Sequence, residues 1–273
     1  MTRRRWIADT WSPASGHPTH AALIGEQAQH LARVLRAQPG QHFDVVANGF
    51  LHRAEITEVC GGDSGGDAEV HFALLEELEA DAALPIHLLL AVFKFDHFEW
   101  AIEKATELGV ARITPILARR TEKHLAHAAP KRAERWRRIA LESAKQSRRT
   151  DVPEIADPAK LDAALNVESA SLRILLSEVE QSVSLVDALS HMREQERNAR
   201  VPHSSRALMR DEWVETGSQV RNLALAIGPE GGWAADEMTL FTQHHWTHVT
   251  LGPRILRAET AAIAALSIAG SVL

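Results

Sequence analysis

The sequence has little cysteine and no long hydrophobic run, and each absence excludes a class of protein. Cys60 is the single cysteine among 273 residues, which excludes an internal disulfide and a cysteine-based metal cluster. A lone thiol is typical of a reducing compartment, so we expect a cytoplasmic location. No apolar stretch approaches the roughly 18 residues of a membrane helix. The basic first residues are followed by polar ones, so we expect no secretory signal.

Motifs for metal binding and for phosphate cradling are also missing. The 15 histidines are scattered, and the closest sets, His124 with His127 and His244 with His245, lack a matching group of carboxylates or thiols. We therefore expect no metal. The glycine-rich loop at 228–232 does not end in Lys-Ser/Thr, which argues against a nucleotide hydrolase.

Positive charge is concentrated in the middle of the chain. The net charge is −6, yet residues 85–150 carry 14 Lys and Arg against 7 Asp and Glu. Clustered cations inside an acidic protein favour a polyanion-binding surface, because phosphate contacts require local Lys and Arg. A solvated helix face is the alternative.

The first 82 residues have the pattern of a small β-rich domain. Segments 41–47 and 50–59 flank Asn48-Gly49, a strong hairpin signal, and 69–75 is a further strand. A short amphipathic helix is predicted over 26–36. Proline and an acidic run near residue 83 mark a boundary, so we predict two domains, 1–82 and 83–273.

The second domain has the pattern of alternating strands and helices. Buried strands are predicted at 86–93, 110–117, 172–176, 223–227 and 249–251. Asp96 with Glu99 resembles a capping box that begins a helix through Leu108, and Pro130 marks the start of a basic helix. This order predicts an α/β fold with a parallel sheet flanked by helices.

Two loops follow two of these strands and carry the densest functional signal. Ile227-Gly228-Pro229-Glu230-Gly231-Gly232-Trp233 follows one strand, and Leu251-Gly252-Pro253-Arg254-Ile255-Leu256-Arg257-Ala258-Glu259-Thr260 follows the other. Loops at the carboxyl ends of strands in open α/β sheets usually bind small molecules. A turn followed by a capped helix is the structural alternative for the first loop.

With these motifs in view, the chain resembles the small-subunit ribosomal RNA uridine N3-methyltransferases, the RsmE branch of the SPOUT superfamily. The resemblance covers both predicted domains in order. Besides the two loops, the matching stretches are Arg4-Arg5-Trp6, residues 30–36, residues 103–110, Arg135-Trp136 and residues 142–149.

The resemblance implies a fold and an activity that periodicity does not indicate. It implies a PUA-like β-barrel followed by a SPOUT α/β domain with a deep C-terminal trefoil knot, acting as a homodimer. It also implies methyl transfer from S-adenosyl-L-methionine to N3 of a uridine in the decoding region of 16S ribosomal RNA. The expected partner is this RNA within the small ribosomal subunit, and no metal is needed. The polar excursion at 190–218 is longer than the resemblance leads us to expect.

Site residues follow from the same resemblance. The methyl donor is expected against three loops, with Leu251, Ile255 and Leu256 as an adenine slot; plain core packing is the alternative for these three. The expected donor-binding residues are Leu176, Ser177, Glu178, Ile227, Gly228, Pro229, Glu230, Gly231, Gly232, Leu251, Gly252, Ile255 and Leu256.

Catalytic and RNA-binding roles can also be assigned. Arg257 and Arg254 are expected to stabilise the uridine anion, and Glu259 and Glu230 to accept its proton. Alternatively, Arg257 and Glu259 pair and cap the last helix. The expected RNA-binding residues are Arg3, Arg4, Arg5, Arg33, Arg36, Arg119, Arg120, Lys123, Arg132, Arg135, Arg138, Lys145 and Arg149.

Two other functions remain open at this stage. One is a SPOUT methyltransferase that acts on a different RNA nucleotide. The other is a non-catalytic RNA-binding or ribosome-assembly protein of the same fold. Binding of S-adenosylmethionine would distinguish an enzyme from a non-catalytic RNA-binding protein. Mapping of the modified nucleotide would distinguish a uridine N3-methyltransferase from one that acts on a different nucleotide.

Overall fold

The computed structural model describes residues 5–13, 15–61, 68–80, 82–179, 182–191 and 222–273. It divides into two compact units, Met1–Ala83 with Leu141–Val152, and Leu84–Ala140 with Pro153–Leu273. The first unit thus includes a segment that the sequence pattern placed in the second domain, and the domain division at 82/83 stays a prediction. Among the helices of the described residues, none combines the length and hydropathy that a membrane-spanning helix requires.

The first unit is a six-stranded sheet that closes on itself. Its strands are β1 (Arg5–Ile7), β2 (Thr10–Ser12), β3 (His20–Ile24), β4 (His42–Ala47), β5 (Phe50–Cys60) and β6 (Glu69–Glu77), in the order β1-β4-β5-β6-β3-β2. Only Ala8 and Asp9 separate β1 from β2, and their amides donate to Val46 and Ala22 on opposite sides. One continuous stretch therefore joins both ends of the sheet, which makes a small barrel.

Local sequence signals account for most of this barrel. Asn48 and Gly49 both have positive φ, 52° and 82°, as the predicted hairpin between β4 and β5 requires. The predicted helix at 26–36 is shorter and irregular: α1 spans Glu26–Gln29 and continues as a π-helical turn over His30–Val34. Trp6, Leu23, Leu31 and Phe72 fill the barrel core.

The second unit contains a parallel sheet buried on both faces. Its strands are β7 (Leu84–Ala91), β8 (Val110–Leu117), β9 (Glu154–Ile155), β10 (Ala159–Lys160), β11 (Leu172–Leu176), β12 (Leu223–Ile227) and β13 (Thr247–Val249). The order is β10-β8-β7-β12-β11-β13, and β9 pairs with β8. Along β7, Leu88 and Leu90 enter one hydrophobic cluster while Leu89 and Ala91 enter another. This burial explains why the strands read as continuous apolar runs.

Helices cover both faces of the sheet. They are α2 (Phe95–Glu107), α3 (Lys123–Ser147), α4 (Leu161–Val167), α5 (185–191), α6 (Ala235–Gln243) and α7 (Ala258–Val272). Phe98, Trp136 and Leu266 pack into the cluster on one face, and Leu165, Phe241 and Trp246 into the cluster on the other. Gly109, with φ 94°, follows α2 as predicted.

Two predicted helix starts are wrong. Lys94, without a side-chain cap, is the N-cap of α2, and Asp96 lies in its first turn, so the Asp96 and Glu99 capping box does not form. Pro130 lies inside α3, which begins at Lys123. A proline costs about 3 kcal/mol in a helix interior, and buried Leu125, Ala129 and Ala133 on the same helix hold it against the core.

Several predictions lie outside the described residues. They include Arg3, Arg4 and almost all of the polar excursion at 190–218. The path of the chain between β11 and β12 runs through 192–221, so the trefoil knot remains an implication of the resemblance.

Candidate active site

The carboxyl ends of four neighbouring strands meet at one edge of the second sheet. β12 lies between β7 and β11, β11 also pairs with β13, and all these pairings are parallel. The amide of Ser177, directly after β11, donates to the carbonyl of Val249 at 3.0 Å. The loops predicted to bind a small molecule, and the amino end of α2, therefore emerge from the same edge.

Gly228 begins the first loop against an aromatic wall. A Cβ added there would lie 3.0 Å from Nε1 of Trp233, closer than side chains normally approach. The Trp233 side chain is buried and packs edge-on against Phe241 with ring centroids 4.9 Å apart. Gly232, at φ 69°, closes a turn by donating to the carbonyl of Pro229 at 2.8 Å. Gly228 thus leaves room for the indole, and Gly232 adopts the positive φ that the turn requires.

Two arginines and a buried carboxylate hold this loop in place. Arg120 donates from its guanidinium group to the carbonyl of Gly231. Glu237, 3% exposed, accepts the amides of Arg119 and Ala234, each at 2.8 Å. The guanidinium of Arg119 also lies 2.8 Å from Asp236. Both arginines predicted to bind RNA are therefore engaged within the chain, where they shape the loop.

The second loop is open at Gly252, whose positive φ favours glycine. Gly252 has φ 118°, and a Cβ built there would meet no atom within 4 Å. Its amide donates to Oγ1 of Thr250 at 3.1 Å. Of the predicted adenine slot, Leu251 packs against the hydrophobic core, while Ile255 is 80% exposed. Core packing thus accounts for Leu251 but not for Ile255.

A pocket of about 570 Å³ lies between the amino ends of α2 and α7. Its walls are Asp96, His97 and Trp100 from α2, and Arg257, Glu259 and Thr260 from α7 and its N-cap. Arg257 and Glu259 are two of the four predicted catalytic residues, and the structure brings them together. Glu230 and Arg254 are solvent-exposed and do not line this pocket.

Glu259 is buried and paired. It is 3% exposed, and its Oε1 lies 3.0 Å from Nδ1 of His97. Sequence reasoning missed His97 and Trp100, because the periodicity of α2 identifies the apolar face, with Phe98, Ala101 and Ile102. Their spacing of three residues, which places them on one side of a helix, is the signal that could have found them.

Five of the other predicted RNA-binding cations have intramolecular partners among the described residues. Arg132 and Arg135 both lie 2.9 Å from Glu99, and Arg132 also stacks over Phe95 at 4.6 Å. Arg5, Lys145 and Arg149 contact Arg148, Asp9 and Asp151, respectively. The side chains of Arg33, Arg36, Lys123 and Arg138 are exposed.

The described residues place no three His, Cys, Asp or Glu side chains where they could hold a metal ion together. The site is thus built from backbone turns, an arginine, a buried carboxylate and aromatic rings.

Family models match both parts of the chain. The RNA methyltransferase domain matches residues 80–270, and the RNA methyltransferase PUA domain matches residues 23–64. The parallel α/β domain and the barrel that precedes it therefore define the class of the protein as an RNA methyltransferase.

Curated relatives narrow this class. The ribosomal RNA small subunit methyltransferase E of Bacillus subtilis is 30% identical over 270 residues, which cover 97% of this chain and 94% of the relative. The protein of the same name from Synechocystis is also 30% identical, over 92% of this chain and 73% of the relative. The chain belongs to the ribosomal RNA small subunit methyltransferase E family.

Solved structures share the fold along nearly the whole chain. A Legionella pneumophila methyltransferase in complex with its bound cofactor SAM superimposes with a TM-score of 0.70 at 27% identity, over 99% of this chain and 98% of that one. The ribosomal RNA small subunit methyltransferase E of Neisseria gonorrhoeae, bound to S-adenosyl methionine, gives a TM-score of 0.65 at 22% identity, over 97% and 96% of the two chains. The latter supports the fold alone.

Proposed function

We propose that this protein methylates N3 of a uridine in the decoding region of 16S ribosomal RNA, using S-adenosyl-L-methionine as methyl donor. The observation that carries the proposal is the pocket that joins Arg257 and Glu259, at the sheet edge where the two glycine loops emerge. Family membership supports methylation of small-subunit ribosomal RNA, and the chemistry of the pocket supports the choice of N3.

The strand-end loops fit a methyl donor. Gly228 and Gly252 keep side chains away from the backbone after β12 and β13, the two strands that flank β11, and the space around Gly252 is open. Exposed backbone amides and carbonyls at such ends can recognise an adenine edge, while Ile255 offers an unburied apolar surface. The expected donor-binding set therefore stays as proposed, with Leu251 contributing more to the core than to a slot.

Reaction at N3 needs a base that has left its pair. Uridine N3 lies on the Watson–Crick edge between two carbonyls, so the nucleotide must be unpaired or extruded to react. Trp100 is 44% exposed on the wall of the pocket and can stack on such a base. When bound, the donor supplies an electrophilic sulfonium methyl group for in-line displacement.

Negative charge develops on uridine as the N3 proton leaves. Arg257 is exposed at the pocket wall and can place its guanidinium beside O2 or O4 of the base. Glu230 lies outside the pocket, whereas Glu259 lines it. We therefore assign the charge stabilisation to Arg257 and keep Glu259 in the proton-transfer part of the site.

The state of Cys60 disfavours methylation at C5 of a pyrimidine, which uses a thiolate that adds to the ring. The Glu58 carboxylate accepts a hydrogen bond from the Cys60 thiol and raises its pKa, so the protonated thiol is favoured. N3 methylation needs no thiolate.

RNA contact is proposed for the exposed cations of both units, including Arg33, Arg36, Lys123 and Arg138. We also propose a homodimer and a cytoplasmic location, on the basis of family membership. In that homodimer, the barrel of one protomer can bind the RNA whose uridine enters the pocket of its partner.

Donor binding and the modified position test the proposal separately. Isothermal titration of the purified protein with S-adenosylmethionine should show saturable binding; no binding would favour the non-catalytic RNA-binding alternative. Mass mapping of 16S ribosomal RNA from a deletion strain should show loss of a 3-methyluridine in the decoding region. Loss of a different modified nucleotide would leave a methyltransferase with another target.

A further inference from the structure

We propose that His97 is the group that accepts the uridine N3 proton, and that Glu259 holds its ring in position for this role. The inference rests on the proposed function and names a catalytic residue that the family motifs in the two loops do not contain. His97 lies on α2 and contacts Glu259 on α7.

Burial makes Glu259 a poor direct acceptor and a good orienting group. Its side chain is 4% exposed, whereas that of His97 is 36% exposed, so the imidazole is the more accessible part of the pair. With Nδ1 of His97 3.0 Å from Oε1 of Glu259, the carboxylate favours the tautomer with the proton on Nδ1. Nε2 then keeps its lone pair.

Among the described residues, no side chain lies within hydrogen-bonding distance of the free nitrogen. Nε2 of His97 lies 3.8 Å from Oδ2 of Asp96, beyond normal hydrogen-bonding distance. The charged groups that line the same pocket are Asp96 from α2, and Arg257 and Glu259 from α7 and its N-cap. Arg257 therefore adds positive charge near the position where the uridine anion forms.

The position of α2 brings His97 to the reacting edge of the sheet. α2 follows β7, and β7 pairs in parallel with β12 through Leu90 and Ile227. The carboxyl end of β7 thus adjoins the end of β12, where Gly228 begins the proposed donor loop. An imidazole at this place can face a base whose N3 points to the donor.

The proton on uridine N3 passes to Nε2 of His97, and the lone pair of uridine N3 attacks the sulfonium methyl carbon. The new N–C bond forms as the C–S bond breaks, and its electron pair remains on sulfur, which releases S-adenosylhomocysteine. His97 then returns its proton to water.

A substitution that keeps the contact but removes the base tests this role. Asparagine places an amide N–H near the position of Nδ1 and has no basic nitrogen, so His97→Asn should still pair with Glu259. We expect a fall of about 10²- to 10⁴-fold in the single-turnover rate, with donor affinity unchanged by titration. The substrate is a decoding-region RNA or a small subunit from the deletion strain.

The matched control is His124→Asn. His124 also pairs through Nδ1 with a glutamate, Glu122, at 3.5 Å, but it lies on α3 and does not line the pocket. This variant should keep the wild-type rate.

The pH profile separates a base from a structural residue. A rate that depends on a general base falls at acid pH, so the wild-type enzyme should show this fall and His97→Asn should not. Imidazole added to His97→Ala should restore part of the lost rate. A rate for His97→Asn within about threefold of wild type, or an equal loss of donor affinity, would overturn the inference even if the wild-type protein methylates N3. Wild-type protein that binds no donor would instead overturn the proposed function.

Discussion

The indole of Trp233 covers the α-carbon of Gly228, so that a Cβ at residue 228 would lie 3.0 Å from Nε1 of the indole. Trp233 is itself wedged against Phe241, which packs against Trp246 at 5.3 Å between ring centroids. The conformation of the proposed donor loop is therefore coupled to the aromatic core beneath it.

Valine at residue 228 should disturb both the loop and this core. We expect Gly228→Val to abolish detectable donor binding and to lower the free energy of unfolding by about 1–3 kcal/mol, the usual cost of overpacking. Gly252→Val should also abolish binding, but through backbone strain at φ 118° of about 1–3 kcal/mol. Titration with S-adenosylmethionine and urea unfolding measure the two effects.

A third glycine in the same region provides the control. A Cβ at Gly231 would lie 3.5 Å from the Arg120 side chain, which is an ordinary contact. Gly231→Ala should therefore match the wild type in its free energy of unfolding, which makes it a control for packing and not for donor binding. Retained affinity in Gly228→Val and Gly252→Val would mean that the donor binds elsewhere.

Removing the guanidinium of Arg257 should affect turnover more than donor affinity. The expected loss in single-turnover rate for Arg257→Ala is about 10²- to 10³-fold, as for other groups that stabilise a developing anion. Arg112→Ala is a suitable control, because Arg112 pairs with Glu154 on β9 and does not line the pocket. Equal losses in rate and affinity would favour a structural role for Arg257 at the N-cap of α7.

Trp100 should contribute to RNA affinity through stacking. Trp100→Ala should weaken binding of the substrate RNA by an amount equivalent to about 1–3 kcal/mol, while Trp100→Phe keeps most of it. Fluorescence anisotropy with labelled RNA measures the change. If Trp100→Ala and Trp100→Phe bind the RNA with equal affinity, the aromatic ring at residue 100 does not stack on the RNA.

Charge reversal on α3 should weaken RNA binding and its salt dependence. Arg138 is exposed and has no ion-pair partner within the described residues, whereas Arg135 lies 2.9 Å from Glu99. Each lost phosphate contact should lower the salt slope by roughly 0.7–0.9. Arg138→Glu should show this without loss of stability, and Arg135→Glu should also break a contact with α2. If both variants bind RNA with unchanged affinity, this face of α3 contacts solvent and does not bind RNA.

A buried network in the second unit should make stability fall at acid pH. Glu168 contacts Nδ1 of His87, whose Nε2 lies 2.8 Å from Oγ1 of Thr114. Burial acts to raise the pKa of Glu168, but the hydrogen bonds from His87 and the Ala170 amide outweigh it and hold the pKa below its ordinary value. The resulting stability is present above the ordinary glutamate pKa of about 4.3 and is lost as pH falls through the lower, folded value.

Glu168→Gln should therefore cost about 1.5–3 kcal/mol near pH 7 and flatten the loss of stability on acidification. Urea unfolding between neutral and acid pH measures both effects. Glu154→Gln, at a side chain that is 62% exposed, should change neither. If Glu168→Gln loses stability at acid pH as much as the wild type does, other carboxylates cause that loss.

Periodicity and turn chemistry were sufficient for much of the fold. The Asn48-Gly49 hairpin, the buried strands and Gly109 after α2 follow from local preferences that act over a few residues. The helix starts at Asp96 and Pro130 were wrong because packing of Phe98 on α2 and Ala129 on α3 against the core outweighs local capping signals.

By itself, the sequence determined the strand and helix pattern, the family resemblance and the two loops with Arg257 and Glu259. Only the tertiary structure decided which side chains meet them. His97 and Trp100 precede Arg257 and Glu259 by more than 150 residues in the chain. The parallel pairing of β7 with β12 places the amino end of α2 at the sheet edge where the two loops begin. Such contacts depend on strand order and helix packing, which periodicity does not encode.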